Sequence, residues 1–328
     1  MTSSARVRAG QLTAITILVW GCAVPSRDTL LGSEDGGPGG DGGCTRARAQ
    51  VEDTYDFLAV WGSSPTDVWA VGRPAGGSPI HHWNGAMWTS VSDAAISDAV
   101  LTGVWGFAPN DVWAVGGDSS GALILHWNGL SWSSSWKNQA DGDGLLTTLF
   151  AAWGSGPHDL WAVGAGEVLH WDGTRWSLSS GVPRQQFEGI WGSSSSDVWL
   201  VGFAGKILHW NGTAWSEVAS DTASELNSVW GSGPIDVWAV GAGGTAVHWN
   251  GTDWSAVPSG TTSFLGGVWG SGPTDVWAVG ANGTILHWNG TTWTAATGAT
   301  ANELDAIWGV NSGEVWAVGS GATIACQP

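Results

Sequence analysis

The sequence predicts an all-β chain, a seven-bladed β-propeller of four-stranded antiparallel blades. Three observations carry this expectation. The pair Trp-Gly recurs at Trp61, Trp105, Trp153, Trp191, Trp230, Trp269 and Trp308, with spacings of 44, 48, 38, 39, 39 and 39 residues. A second tryptophan follows each of these by eight residues, at Trp69, Trp113, Trp161, Trp199, Trp238, Trp277 and Trp316. Repeats of about 40 residues belong to propeller blades or to helical arrays. The third observation decides between them: each copy consists of short apolar runs separated by turn signals, without helical periodicity.

The sixth copy shows the elements in order. Leu265 to Gly270 is the first run, ended by the breaker cluster Ser271-Gly272-Pro273-Thr274-Asp275. Val276 to Gly280 is the second run, Ala281-Asn282-Gly283 a turn, and Thr284 to Trp288 the third run. Asn289-Gly290 predicts a type I′ hairpin, and Thr291 to Thr294 returns as the fourth strand. The middle runs, VWAVG and TILHW, are apolar on both alternating faces. A sheet with one wet face would alternate apolar and polar residues instead. Such strands need cover on both sides, which a closed ring of blades supplies.

Of the 28 tryptophans, 26 occupy four fixed repeat positions. Indoles bury about 150–250 Å² each, so they are expected to fill the wedges between twisted blades, against the alternative of a ligand-stacking surface. The seventh copy stops after its third run. Its fourth strand is expected from the segment around Cys44 to Val51, so that an N-terminal strand completes the last blade. Aligning ATIACQP with GTILHWN places Cys326 where His287 stands in copy six, and predicts a Cys44–Cys326 disulfide as a latch.

Composition bounds the function. A net charge of −18 sets nucleic acid aside as a partner. Arg6 and Arg8 precede an apolar run from Leu12 to Trp20, too short to cross a bilayer as a helix but suited to an export signal. The stretch LVWGC, Leu18 to Cys22, resembles the lipobox of bacterial lipoproteins, in which the cysteine is lipidated. The resemblance implies a signal peptide over 1–21, a lipid on Cys22 and an outer-membrane location, Ala23 standing where aspartate would favour inner-membrane retention. An ordinary cleaved signal peptide is the alternative. Residues 22–43 are expected to be a flexible Gly/Asp-rich tether, since LGSEDGGPGGDGG lacks calcium-loop spacing. Residues 44–328 form the expected propeller, a monomer held at the membrane through its lipid alone.

The repeats, over about residues 57 to 326, resemble the Trp-rich propeller repeats of exported Gram-negative bacterial proteins. They are loosely similar to sialidase-type BNR or Asp-box repeats. His170-Trp171-Asp172-Gly173-Thr174-Arg175-Trp176 comes closest to an Asp-box and is one residue too short. The last copy, IWGVNSGEVWAVG, resembles the tectonin repeats of propeller lectins. Some chains with such repeats are associated with pilus biogenesis.

A sialidase needs an arginine triad and a tyrosine–glutamate nucleophile. The repeats hold only Arg73, Arg175 and Arg184, and the one tyrosine, Tyr55, precedes the first blade. The third-run histidines His82, His126, His170, His209, His248 and His287 recur once per blade, too far apart to share a metal, and are expected to be hydrogen-bonded structural residues. Asp67, Asp111, Asp159, Asp197, Asp236 and Asp275, with Glu314 in the last copy, are read as turn residues that accept backbone N–H bonds. Asn211, Asn250 and Asn289 match a glycosylation sequon, but the hairpins account for them. A paired-carboxylate glycosidase would draw on Glu188 and Asp305. No catalytic set, cofactor or metal is expected.

Function is expected where the copies differ. The loops RPAGGSPI and GDSSGALI, and the connection SSSWKNQADGDGLL, lie on one face around the first three copies. They supply the candidates Arg73, Trp136, Lys137, Asn138, Asp141 and Asp143, Trp136 being either a ligand anchor or a cover for its own loop stem. A second candidate zone is the channel mouth, where the position three before the first-run tryptophan holds Leu58, Thr102, Phe150, Glu188, Asn227, Gly266 and Asp305. The expected role is non-catalytic binding of an envelope protein or carbohydrate. The alternatives are a glycan-acting hydrolase and a structural or pilus-assembly factor.

Overall fold

In chain order the strands begin with β1 (Leu18–Trp20) and β2 (Arg48–Gln50). Blade 1 follows as β3–β6 (Asp56–Ser64, Asp67–Arg73, Ile80–Trp83, Trp88–Ser90) and blade 2 as β7–β10 (Val100–Ala108, Asp111–Asp118, Gly121–Trp127, Trp132–Lys137). Blade 3 is β11–β14 (Leu149–Gly156, Asp159–Gly164, Val168–Trp171, Trp176–Leu178) and blade 4 is β15–β18 (Phe187–Ser194, Asp197–Gly202, Ile207–Trp210, Trp215–Val218). Blade 5 is β19–β22 (Leu226–Gly233, Asp236–Gly241, Ala246–Trp249, Trp254–Ala256) and blade 6 is β23–β26 (Leu265–Gly272, Asp275–Gly280, Ile285–Trp288, Trp293–Ala295). The last copy gives β27 (Leu304–Asn311), β28 (Glu314–Gly319) and β29 (Ala322–Cys326). This computed structural model describes residues 56–74, 78–91, 96, 98–137, 148–296 and 301–320, with β1, β2 and β29 described by their backbone.

The propeller therefore has six blades of four antiparallel strands, and the expected seventh is corrected. The last copy instead joins a mixed five-stranded sheet in the order β27-β28-β29-β1-β2, with β1 parallel to β29. In blades 1 to 6 the outer edge of the third strand is taken by an antiparallel fourth strand of the same copy, whereas in the last copy that edge is taken by a parallel strand from elsewhere in the chain. The free edge of β29 pairs with Leu18–Trp20, from the segment read as the core of an export signal, and not directly with residues around 44–51. Closure comes from packing of β27 and β28 against β3, with a bridge between Asp56 and Ser320.

The register of the last sheet overturns a second expectation. In blade 6 a three-residue turn, Ala281–Gly283, leads to Trp277 facing His287. The last copy turns between Gly319 and Ala322, so Trp316 faces Ala325 and Val315 faces Cys326. The shorter turn slips the pairing by one residue, giving Cys326 the place of Trp288 and not of His287. Cys22 and Cys44 lie outside the described residues.

Two relationships explain the tryptophans. Six of the seven first-strand indoles lie on the glycine of the following copy's Trp-Gly pair: Trp61 on Gly106, Trp153 on Gly192, Trp191 on Gly231, Trp230 on Gly270, Trp269 on Gly309 and Trp308 on Gly62, while Phe107 takes that place at Gly154. A methyl at any of these glycines would meet the ring at 2.5–2.8 Å, so only glycine lets the indole settle. Second-strand tryptophans other than Trp277 meet the third- and fourth-strand tryptophans of the next blade, as Trp199 meets Trp249 and Trp254 at centroid separations of 5.0 and 5.4 Å. The same triad recurs at six junctions and includes the closing one, where Trp316 meets Trp83 and Trp88. Edge-to-face contacts of this kind add about 0.5–1.5 kcal/mol beyond area burial.

The Asn-Gly hairpins are not type I′ turns. Four residues separate Trp210 from Trp215, and only the glycine is left-handed (φ 89° at Gly212). Asn211 Oδ1 accepts hydrogen bonds from the backbone N–H of Thr213 and Ala214, so its side chain closes the loop.

Candidate functional site

One face of the propeller is built identically from copy to copy. In blades 1 to 6 the third-strand histidine stacks on the second-strand tryptophan at centroid distances of 4.0–4.4 Å. Its Nε2 lies 2.5–2.8 Å from Oδ1 of the aspartate that opens the second strand. Ser63, Ser155, Ser193, Ser232 and Ser271 donate to the other carboxylate oxygen of that aspartate. The aspartates thus serve these side chains, where the sequence suggested backbone N–H groups. Burial would raise the carboxyls of Asp67, Asp159, Asp197 and Asp236, but the histidine and serine bonds hold them below the usual aspartate value. These groups pin the turns.

The other end of each first strand carries the irregularity. The ladder between first and second strands skips one residue in every copy, at Leu58, Thr102, Phe150, Glu188, Asn227, Gly266 and Asp305. A bulge residue is unpaired and its side chain is re-aimed. All seven bulge positions line one cavity on the ring axis, of about 170 Å³. The channel-mouth residues singled out from sequence are therefore brought together, and the bulge is the device that does it.

The cavity is electrostatically loaded. Burial, with the charges of Glu303 and Asp56, pushes the Asp305 carboxyl up to about 7, against a lowering influence from Arg73. Burial also raises Glu188, assisted by the charge of Glu225 and opposed by a hydrogen bond from Gln186. Asn227 Oδ1 is buried without a hydrogen-bond partner. Thr102 Oγ1 donates to the Leu149 carbonyl at 2.5 Å, which fixes blade 2 to blade 3.

The remaining candidates lie apart. Arg73 is exposed at the end of β4, facing Asp56 in the ladder. The stretch GDSSGALI is mostly strand, closing on the pair Asp118 and Gly121. Trp136 lies on β10, half-buried against the core between blades 2 and 3, and Lys137 forms an ion pair with Asp118 at 2.6 Å. Asn138, Asp141 and Asp143 lie outside the described residues. Sequence reading missed Phe203, which is 59% exposed in the loop after β16. Its backbone N–H bonds the Gln186 carbonyl, tying it to the entry of the strand that bears Glu188. The signal was available: Ala242 and Ala281 occupy the equivalent place in the next two copies.

No known family model matches the chain, and no curated protein sequence matches it. Solved structures do resemble it, and they are β-propellers. YCF48 bound to D1 peptide is similar at 17% identity, covering 84% of this chain and 93% of that one with a TM-score of 0.66. The WD40 β-propeller domain of Doa1 is similar at 12% identity, 83% and 92% coverage and a TM-score of 0.64. The extracellular domain of the two-component system BT3049 from B. thetaiotaomicron matches at 12% identity, covering 84% of this chain and 39% of that one with a TM-score of 0.66. At these identities the likeness concerns the fold.

Proposed function

We propose that the protein is a non-catalytic binding propeller of the cell envelope, which holds a protein or glycan at the channel mouth. The observation that supports this is the contrast between its two ends. One end repeats the same histidine–aspartate pairing in six blades, while the other exposes seven different bulge residues around one cavity. Variable side chains on a rigid scaffold are the usual form of a recognition surface. That a similar structure is YCF48 bound to a peptide supports a protein ligand. The LVWGC stretch supports export with a lipid on Cys22. Crosslinking in intact cells followed by mass spectrometry, with a glycan array on the purified protein, tests the reading. It expects one stoichiometric envelope partner or one glycan class, and its failure is the absence of both.

A second reading, a glycan-acting hydrolase, is favoured by one observation: Asp305, with a carboxyl near 7, shares a cavity with Glu188. A general acid and a second carboxylate are the requirements of that chemistry. A hydrolysis screen separates the two, since turnover abolished by Glu188→Gln would replace the binding reading.

A further inference from the structure

The bulge residues divide the axial cavity into two arcs. First strands pack in ring order, so Leu58, Thr102 and Phe150 come from three consecutive blades. The Thr102 hydroxyl is engaged by the Leu149 carbonyl, and this arc offers hydrocarbon. Glu188, Asn227, Gly266 and Asp305 form the remaining arc. It holds two carboxylates and an orphaned amide oxygen, and at Gly266 the strand packs closely on the backbone of Leu304 and Asp305. A small cavity with an apolar wall opposite convergent acceptors suits a cation on a hydrocarbon stem.

Resting on the binding reading above, we infer that this cavity receives one alkylammonium group, the side chain of a lysine on the bound partner. The volume of about 170 Å³ accommodates one side chain. An ammonium has three donors and no acceptor, matching the acceptors of Glu188, Asn227 and Asp305. Its methylene stem lies against Leu58 and Phe150, as lysine stems cover apolar surface elsewhere. A compact point charge fits this space better than the planar guanidinium fork. The charges of Glu303 and Asp56 near Asp305, opposed by Arg73, and of Glu225 near Glu188 make both carboxyls gain from an arriving cation.

Calorimetric titration of the full chain at pH 8 tests this with three probes. They are the pentapeptide Ac-Gly-Gly-Lys-Gly-Gly-NH2, its norleucine counterpart and n-butylamine. The lysine peptide should saturate, with the norleucine peptide at least about tenfold weaker, or 1.4 kcal/mol. Glu188→Gln and Asp305→Asn should each weaken the lysine peptide by about tenfold, with unchanged circular dichroism and tryptophan fluorescence. Affinity should rise between pH 5.5 and 8 as Asp305 loses its proton. Butylamine binding more weakly than the lysine peptide assigns the site to a protein side chain. Equal binding assigns the same chemistry to a free amine and overturns the lysine assignment. Equal affinity for the norleucine peptide, or no saturation by either amine, overturns the inference. If envelope-partner capture survives Glu188→Gln/Asp305→Asn, the binding role stands without the lysine; if wild-type capture fails, the binding role itself fails.

Discussion

The indole of Trp191 lies over Gly231 of the next blade so closely that a methyl on Gly231 would stand 2.6 Å from its Cη2 atom. Gly231→Ala should therefore destabilise the fold by about 1–3 kcal/mol, the usual cost of overpacking. Combining it with Trp191→Leu should recover only part of the loss, because the smaller residue removes the indole's share of the obstruction while the Asp236 carbonyl oxygen stays 2.7 Å from the methyl. Urea unfolding of the two single variants and the double variant measures this coupling. Additive losses would show that the contact does not determine the glycine.

Trp199 and Trp277 occupy the same repeat position with different neighbours. Trp199 is 1% exposed and meets two indoles of blade 5. Trp277 is 8% exposed and packs toward the last copy, where Cys326 holds the register place of the third-strand tryptophan. Trp199→Ala should cost about 3–5 kcal/mol, and Trp277→Ala measurably less, by the same unfolding assay.

The aspartates under the histidines predict acid sensitivity. The carboxyls of Asp67, Asp159, Asp197 and Asp236 are held below the ordinary value of 3.8 in the folded state. The unfolded chain therefore binds more protons in that window, and stability rises with pH through it. Their contribution is present above pH 3.8 and is lost as the pH falls through the lowered values. Ser232→Ala removes one of the bonds holding Asp236 down, so its melting temperature should fall below the wild type's at pH 6 and converge with it near pH 2.

Asp305 carries the opposite sign. Its carboxyl is raised from 3.8 to about 7, so the folded state binds the extra proton and stability declines as pH rises between those values. Asp305→Asn removes that penalty. The melting temperature of the variant should exceed that of the wild type at pH 8, with little difference at pH 4, at about 2–4 °C per kcal/mol. Scanning calorimetry at the two pH values checks the sign, and a lower melting temperature for the variant at pH 8 would contradict it.

Much of the site was legible as variation between copies. The position three before each Trp-Gly pair differs in all seven copies, and the structure gathers those seven residues around the axis. That the position is a bulge was not legible, because a skipped ladder pair depends on the partner strand and leaves no residue signature at Leu58 or Gly266. Trp136 stood out as an aromatic without a repeat position, yet β10 continues far enough to place it against the core between blades 2 and 3. Histidine and aspartate were legible separately, eleven to fifteen residues apart, and only folding showed that each pair shares one hydrogen bond.

By itself the sequence determined the strand-built repeat, since the spacing of Trp-Gly pairs and the doubly apolar runs are local properties of the chain. Tertiary structure decided how many blades are complete, how the ring closes and the register of β29. Those depend on which backbone edge finds a partner and on how many residues a turn consumes. Only closure of the ring could bring Glu188, Asn227 and Asp305, from three separate sheets, to one cavity.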